Sequence, residues 1–148
     1  MNLKKLLRPL LLLLLMVNLA GCSTGANTKK DDSLYQSLGQ RAGIAQMVQA
    51  IFVRVYTDPR ISALFEDADR KELERLVSEK ICFEAGGPCP YSGRSMEESH
   101  SGLALTHRDF DAFVEDFILG MEDHKVSYST QNRVLKIFAP MRAQIIDK

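Results

Sequence analysis

The chain has no tryptophan, five prolines, nine glycines and three cysteines in 148 residues. So little glycine and proline excludes collagen-like and low-complexity chains. Three cysteines cannot make a disulfide-dense scaffold. A domain of this size does not need one, since it buries roughly two-thirds of the surface its unfolded chain exposes. Excess charge of one sign is also missing, with 19 Lys+Arg against 19 Asp+Glu. That excludes a strongly basic nucleic-acid binder and an acidic disordered tail, so no nucleic-acid partner is expected. No stretch alternates apolar and polar residues, and none repeats, so no strand is expected. Zinc-spaced His/Cys clusters, a Walker A loop, GxGxxG and GxSxG are absent as well.

What is present divides into two materials. Lys4, Lys5 and Arg8 precede an apolar run from Leu10 to Val17, followed by Leu19-Ala20-Gly21-Cys22. A basic start, a short apolar stretch and small residues before a cut read as a secretory signal. The run falls well short of the roughly 20 apolar residues that a membrane span needs. Cys22 after Leu-Ala-Gly resembles the lipobox of bacterial lipoproteins, which implies a signal peptide at 1–21 and lipidation of Cys22. Loss of the leader removes three positive charges and leaves 16 basic against 19 acidic residues. Ser23 in place of Asp favours the outer membrane in the bacterial sorting pattern. The expected location is therefore the periplasmic side of a bacterial membrane, lipid-anchored. Residues 22–32, ending in the polar STGANTKKDD, read as the lipidated Cys and a flexible tether.

Residues 33–148 form the expected domain, and its period is helical. One stripe is Ile44, Met47, Val48, Ile51, Phe52 and Val55, stopped by Asp58-Pro59. A second is Leu73, Leu76, Val77 and Ile81, stopped at Gly86-Gly87-Pro88. A third is Phe110, Phe113, Val114, Phe117, Ile118 and Met121, with Thr106 and Asp109 spaced as a capping box at its start. The fourth is Val134, Leu135, Ile137, Phe138, Met141 and Ile145, bent at Pro140. The fold class is all-α. Between the second and third stripes lies a long connector, Cys89 to Leu105, with a hint of helix from Met96 to His100. A loop this long in a compact domain is usually functional or disordered.

The chain has three histidines. His124 lies near a helix end, where it suits the helix dipole, and His107 sits just inside a helix start. His100 follows Met96 by one turn and precedes Ser101-Gly102, where the backbone can turn away. One axial imidazole in an apolar helical cage is enough to hold haem.

These residues carry a family resemblance over about residues 33 to 146. Ser33-Leu34-Tyr35-Gln36-Ser37-Leu38-Gly39, Phe52 to Arg60, Leu64-Phe65, Gly86-Gly87-Pro88 with Tyr91-Ser92-Gly93, Met96 to His100 and Ala139-Pro140-Met141 resemble the first group of truncated haemoglobins. The resemblance implies a 2-on-2 helical sandwich around haem b. It places His100 as the iron ligand through Nε2, with its other ring nitrogen donating to a backbone carbonyl. Phe65, Tyr91, Met96, Phe110, Val114 and Leu135 match pocket walls, and Phe52, Leu73 and Val77 match the ligand side. The ligands implied are O2, NO and CO, and a reductase would supply electrons. Arg94, Arg75 and Lys71 offer charge for the propionates.

Family members often carry Tyr where this chain has Phe52, and Gln or another polar residue at one or both positions matching Leu73 and Val77. All three are apolar here, so oxygen is expected to leave fast. NO or peroxide turnover gains weight over oxygen storage. Tyr56 is expected to lie too far off to compensate, and Lys80 to extend into solvent. If Cys22 is lipidated, Cys82 and Cys89 remain, either as a disulfide in an oxidising compartment or as free thiols. They bracket the turn leading to His100, at positions where a bacterial subfamily also carries cysteines. Two other functions fit the sequence: a haem-free helical lipoprotein acting as an interaction module at the membrane surface, and a redox sensor built on Cys82 and Cys89.

Overall fold

A computed structural model describes residues 31–148. Cys22, the leader and most of the tether lie outside the described residues. Seven α-helices follow: α1 (Ser33–Ser37), α2 (Gln40–Val55), α3 (Arg70–Glu84), α4 (Met96–His100), α5 (His107–Asp123), α6 (Tyr128–Phe138) and α7 (Arg142–Ile145). Short 3-10 turns cover Ser62–Phe65 and Ala139–Met141, and there is no strand among the described residues. No described helix is long and apolar enough to cross a membrane.

The helices begin where polar side chains can cap them. Thr106 and Asp109 form the expected reciprocal capping box on α5. Asp69 caps α3 and Ser127 caps α6. Each such cap is worth about 1 kcal/mol. Pro140 does more than bend the fourth stripe. Lacking an N–H, it converts the chain to a 3-10 turn, and the helix resumes only as α7.

Helix α2 is the centre of the packing and lies against both α3 and α5, while α6 touches α3 and α5. Its stripe Ile44, Met47, Val48, Ile51, Phe52 and Val55 is almost entirely removed from solvent, as the sequence period predicts. The α2–α5 crossing depends on Gly120. A Cβ there would stand 2.5 Å from Ile51 Cγ1 and 2.7 Å from Ile51 Cα, so backbone would have to move. Gly120→Ala is expected to destabilise the domain by about 1–3 kcal/mol, read as a lower urea midpoint.

Asp116 on α5 is buried at 4% exposure, and its Oδ2 has no hydrogen-bond partner. Burial pushes its carboxyl pKa up, and the nearby Asp58 adds to this. The native state therefore prefers the protonated form. That preference supports folding below the ordinary Asp value and is lost as pH rises through the raised one. Asp116→Asn is expected to be more stable than wild type near about pH 7 and to lose that advantage near about pH 3. Urea melts at both pH values check it.

Candidate functional site

The connector between α3 and α5 is not a bare loop. Ser95 and Glu98 form a capping box that starts α4, a signature readable as S-x-x-E but passed over in the sequence. The box sets one helical turn in place. That turn carries His100 back over Met96, whose carbonyl lies 2.6 Å from His100 Nδ1. A carbonyl only accepts, so Nδ1 carries the hydrogen and Nε2 keeps a free lone pair. His100 and Met96 are both half-buried. Of the three histidines, this one has Nδ1 on a backbone carbonyl and Nε2 in no hydrogen bond among the described residues. His107 Nδ1 accepts from Arg142, and His124 ends α5.

Of the expected wall rings, the structure brings Phe52 and Phe65 together and sets Phe113 beside them, while Tyr91 and Phe110 have other neighbours. Phe52 and Phe65 meet edge to face with centroids 6.4 Å apart, and Phe113 stacks on Phe65 at 6.2 Å and meets Phe52 at 6.5 Å. Phe113 belongs to the apolar stripe of α5, but periodicity alone does not separate a pocket ring from a core ring. Leu73, Val77 and Leu135 are half-buried against the same core. Phe110 lies under the Arg142 guanidinium, 4.9 Å from its ring centroid, and half-buried Val114 follows one turn later on α5. Tyr91 donates its hydroxyl to the Arg94 carbonyl at 3.0 Å.

The charged residues need correction. Arg75 is engaged by Glu72, Glu79 and Ser92, so it is not free for a propionate. Lys71 lines a cleft with Arg41, Ile44 and Cys82, away from Leu73 and Val77. Neither the Lys71 ammonium nor the Arg94 guanidinium is in a hydrogen bond or ion pair among the described residues, and Arg94 lies near enough to Glu98 to help hold its carboxyl below the usual pKa. Lys80 does not extend freely into solvent. Its ammonium lies 5.0 Å from the Tyr91 ring centroid and 2.8 Å from Glu84. Tyr56 packs on Phe52 and Phe65, and Arg70 covers its ring at 5.1 Å. Its hydroxyl is buried with no partner, and burial raises its pKa. Cys82 and Cys89 are disulfide-bonded with a Cα separation of 5.9 Å.

The described residues therefore offer one imidazole with a free nitrogen, on a helix that packs against α7, and an aromatic cluster of Phe52, Phe65 and Phe113 between α2 and α5. No cluster of three or more His, Cys, Asp or Glu is placed to hold a metal ion among the described residues. Such a site suits an apolar macrocycle that brings its own metal. Comparison with known proteins agrees, because the family model for bacterial-like globins matches residues 33–147. The chain belongs to the bacterial-like globin family. The group 1 truncated hemoglobin GlbN of Nostoc commune is 30% identical to this globin over 118 residues, spanning 78% of this chain and 98% of the relative. The group 1 truncated hemoglobin of Tetrahymena pyriformis is 24% identical over 119 residues, with 80% and 98% covered. A Synechococcus 2/2 hemoglobin, solved in the cyanomet state with covalently attached heme, superposes with a TM-score of 0.72 at 25% identity, covering 78% of this chain and 98% of that one. The fold is thus the 2-on-2 helical sandwich, with α2 packed against both α3 and α5. Haem is the family's cofactor, and the family binds diatomic gases such as oxygen.

Proposed function

We propose that this globin holds haem b through His100 and exchanges small diatomic ligands quickly, while tethered to a membrane through a lipid on Cys22. The observation that carries the reading is the Met96 carbonyl on His100 Nδ1, which orients the ring and leaves Nε2 for iron. When bound, haem supplies an iron centre for O2, NO or CO. The chain supplies the ligand imidazole and a dry aromatic wall at Phe52, Phe65 and Phe113. Arg94, two residues before α4, offers a cation to meet a haem carboxylate. Leu73 and Val77, packed on the same core as Phe52, carry no hydrogen-bond donor, so they admit apolar gases without holding them. That favours turnover of NO or peroxide over oxygen storage, with electrons from an external reductase.

The leader at 1–21, the Leu19-Ala20-Gly21-Cys22 motif and the polar tether support a lipoprotein on the periplasmic side, in the outer membrane. A disulfide in the domain suits that oxidising compartment.

Two measurements test the proposal. Hemin titrated into the chain from residue 23 onward is expected to give a Soret band saturating at one haem per chain; a folded protein that stays colourless overturns the haem reading. Mass spectrometry of the full chain from a bacterial membrane is expected to find acylated Cys22. An unmodified, uncleaved N-terminus overturns the anchor.

A further inference from the structure

We propose that Cys82 and Cys89 are a redox-active pair, and that their dithiol form loosens the connector that positions His100. Cys82 lies in the last turn of α3, and Cys89 follows the Gly86-Gly87-Pro88 turn. The turn is tight: a Cβ on Gly87 would stand 2.6 Å from both Cys82 Sγ and the Tyr35 ring. Gly87 N donates to the Cys82 carbonyl at 2.8 Å, and Arg41 holds the Pro88 carbonyl at 2.6 Å.

Beyond Cys89 the connector is drawn back onto α3 by polar contacts. Ser92 donates to Glu79 from its backbone N at 3.2 Å and from its hydroxyl at 2.7 Å, which holds the Glu79 carboxyl below its usual pKa. Arg75 also reaches Ser92 at 3.0 Å, and Lys80 covers Tyr91. These ties are water-exposed and individually weak. The disulfide is different, being covalent and buried, with Cys82 at 2% and Cys89 at 5% exposure. The connector then ends on Ser95, the cap of α4. A five-residue helix cannot sustain itself. Its position, and with it the Met96–His100 hydrogen bond, depends on α7, against which it packs, and on what anchors the chain on either side: the C-terminal Asp147–Lys148 backbone after it, and the disulfide-fastened connector before it.

The pair is buried but can be approached. A cleft of about 520 Å³ between α2 and α3 is lined by both cysteines, with Ile44, Ala45, Gln49 and Ser78. Arg41, Lys71 and Arg75 also line it, as do Glu74 and Glu79, which are paired with Arg70 and Arg75. Cations near a sulfur favour the departing thiolate and so ease exchange. The reductant is a dithiol. One of its thiolates attacks a chain sulfur, the Cys82–Cys89 bond breaks and a mixed disulfide forms. Its second thiol attacks that bond and leaves with the first as the donor's own disulfide. Two electrons and two protons pass to Cys82 and Cys89, which become thiols.

The inference rests on the haem reading for its iron readouts only. The test uses the chain from residue 23 onward, haem-loaded, before and after dithiothreitol. Alkylation mass spectrometry counts thiols, and amide exchange follows residues 90–105. Haem transfer to apomyoglobin and the ferrous iron–imidazole stretch report on His100. Reduction is expected to release two thiols, speed exchange across the connector, shift the stretch and raise haem loss at least about fivefold, reversibly. Cys82→Ser with Cys89→Ser is expected to match the reduced protein and ignore the reductant. Two free thiols before reduction overturn the proposal. So does a lower melting temperature with exchange, stretch and haem loss all unchanged, since the bond is then only a staple. A response of the double variant to reductant equal to wild type also overturns it. If haem fails to bind at all, the haem reading falls, and amide exchange still decides whether the bond orders the connector.

Discussion

His100→Ala is expected to abolish stoichiometric haem retention. Loss of a partner behind a metal ligand costs about 10–100-fold in affinity, and here the ligand itself is removed, so the expected loss is larger. The hydrogen bond from Nδ1 to the Met96 carbonyl disappears with the ring, leaving α4 with its Ser95–Glu98 cap but nothing for iron. Thermal stability measured with haem present falls as well, because a ligand that binds only the native state no longer contributes. Controls follow from the other two rings. His107→Ala removes an acceptor for Arg142, and His124→Ala alters the end of α5, so both are expected to keep a normal Soret band. His100→Gly with added imidazole is expected to regain the spectrum. A His100→Ala protein with unchanged haem affinity sinks the site.

Phe52→Tyr slows oxygen dissociation by about tenfold to a hundredfold. A donor to a ligand that gathers negative charge is worth about 1.5–3 kcal/mol, and the wild-type wall of Phe52, Leu73 and Val77 offers none. Phe52 is wholly buried, with its ring against Phe65 and Phe113, so a hydroxyl added there enters a dry, aromatic space. CO dissociation, which needs a donor less, is expected to change little. Tyr56→Phe is expected to leave the oxygen off-rate unchanged. Arg70 covers the Tyr56 ring, and the charges its hydroxyl feels are Arg70, Glu74 and Asp69, at the start of α3. Stopped-flow measurement on the ferrous proteins separates the two residues. A slow wild-type off-rate that rises in Tyr56→Phe instead makes Tyr56 the donor.

Much of this molecule is written locally. The stripes of α2, α3 and α5, the Thr106–Asp109 cap and the break at Pro140 each depend on residues within a few turns of one another. A local signal of this kind survives in the linear order of residues. Resemblance extended that to His100 and to Phe52 and Phe65, because their neighbours in the chain are distinctive. Where several partners are possible, charge and hydrophobicity say too little. Arg75 looks like a propionate partner until Glu72, Glu79 and Ser92 take it up, and Lys80 looks solvated until Tyr91 and Glu84 are seen beside it. Phe113 is one apolar position among many until its ring is found on Phe65.

From the order of residues alone come the all-helical class, the four apolar stripes, the Thr106–Asp109 cap and the imidazole set between Met96 and Gly102. The assembled molecule adds the Cys82–Cys89 bond, the fastening of the connector onto α3, and Met96 as the residue whose carbonyl meets His100 Nδ1. Periodicity and caps act over one or two helical turns. A covalent bridge or an ion pair needs a distance across space, and that exists only once the helices have packed.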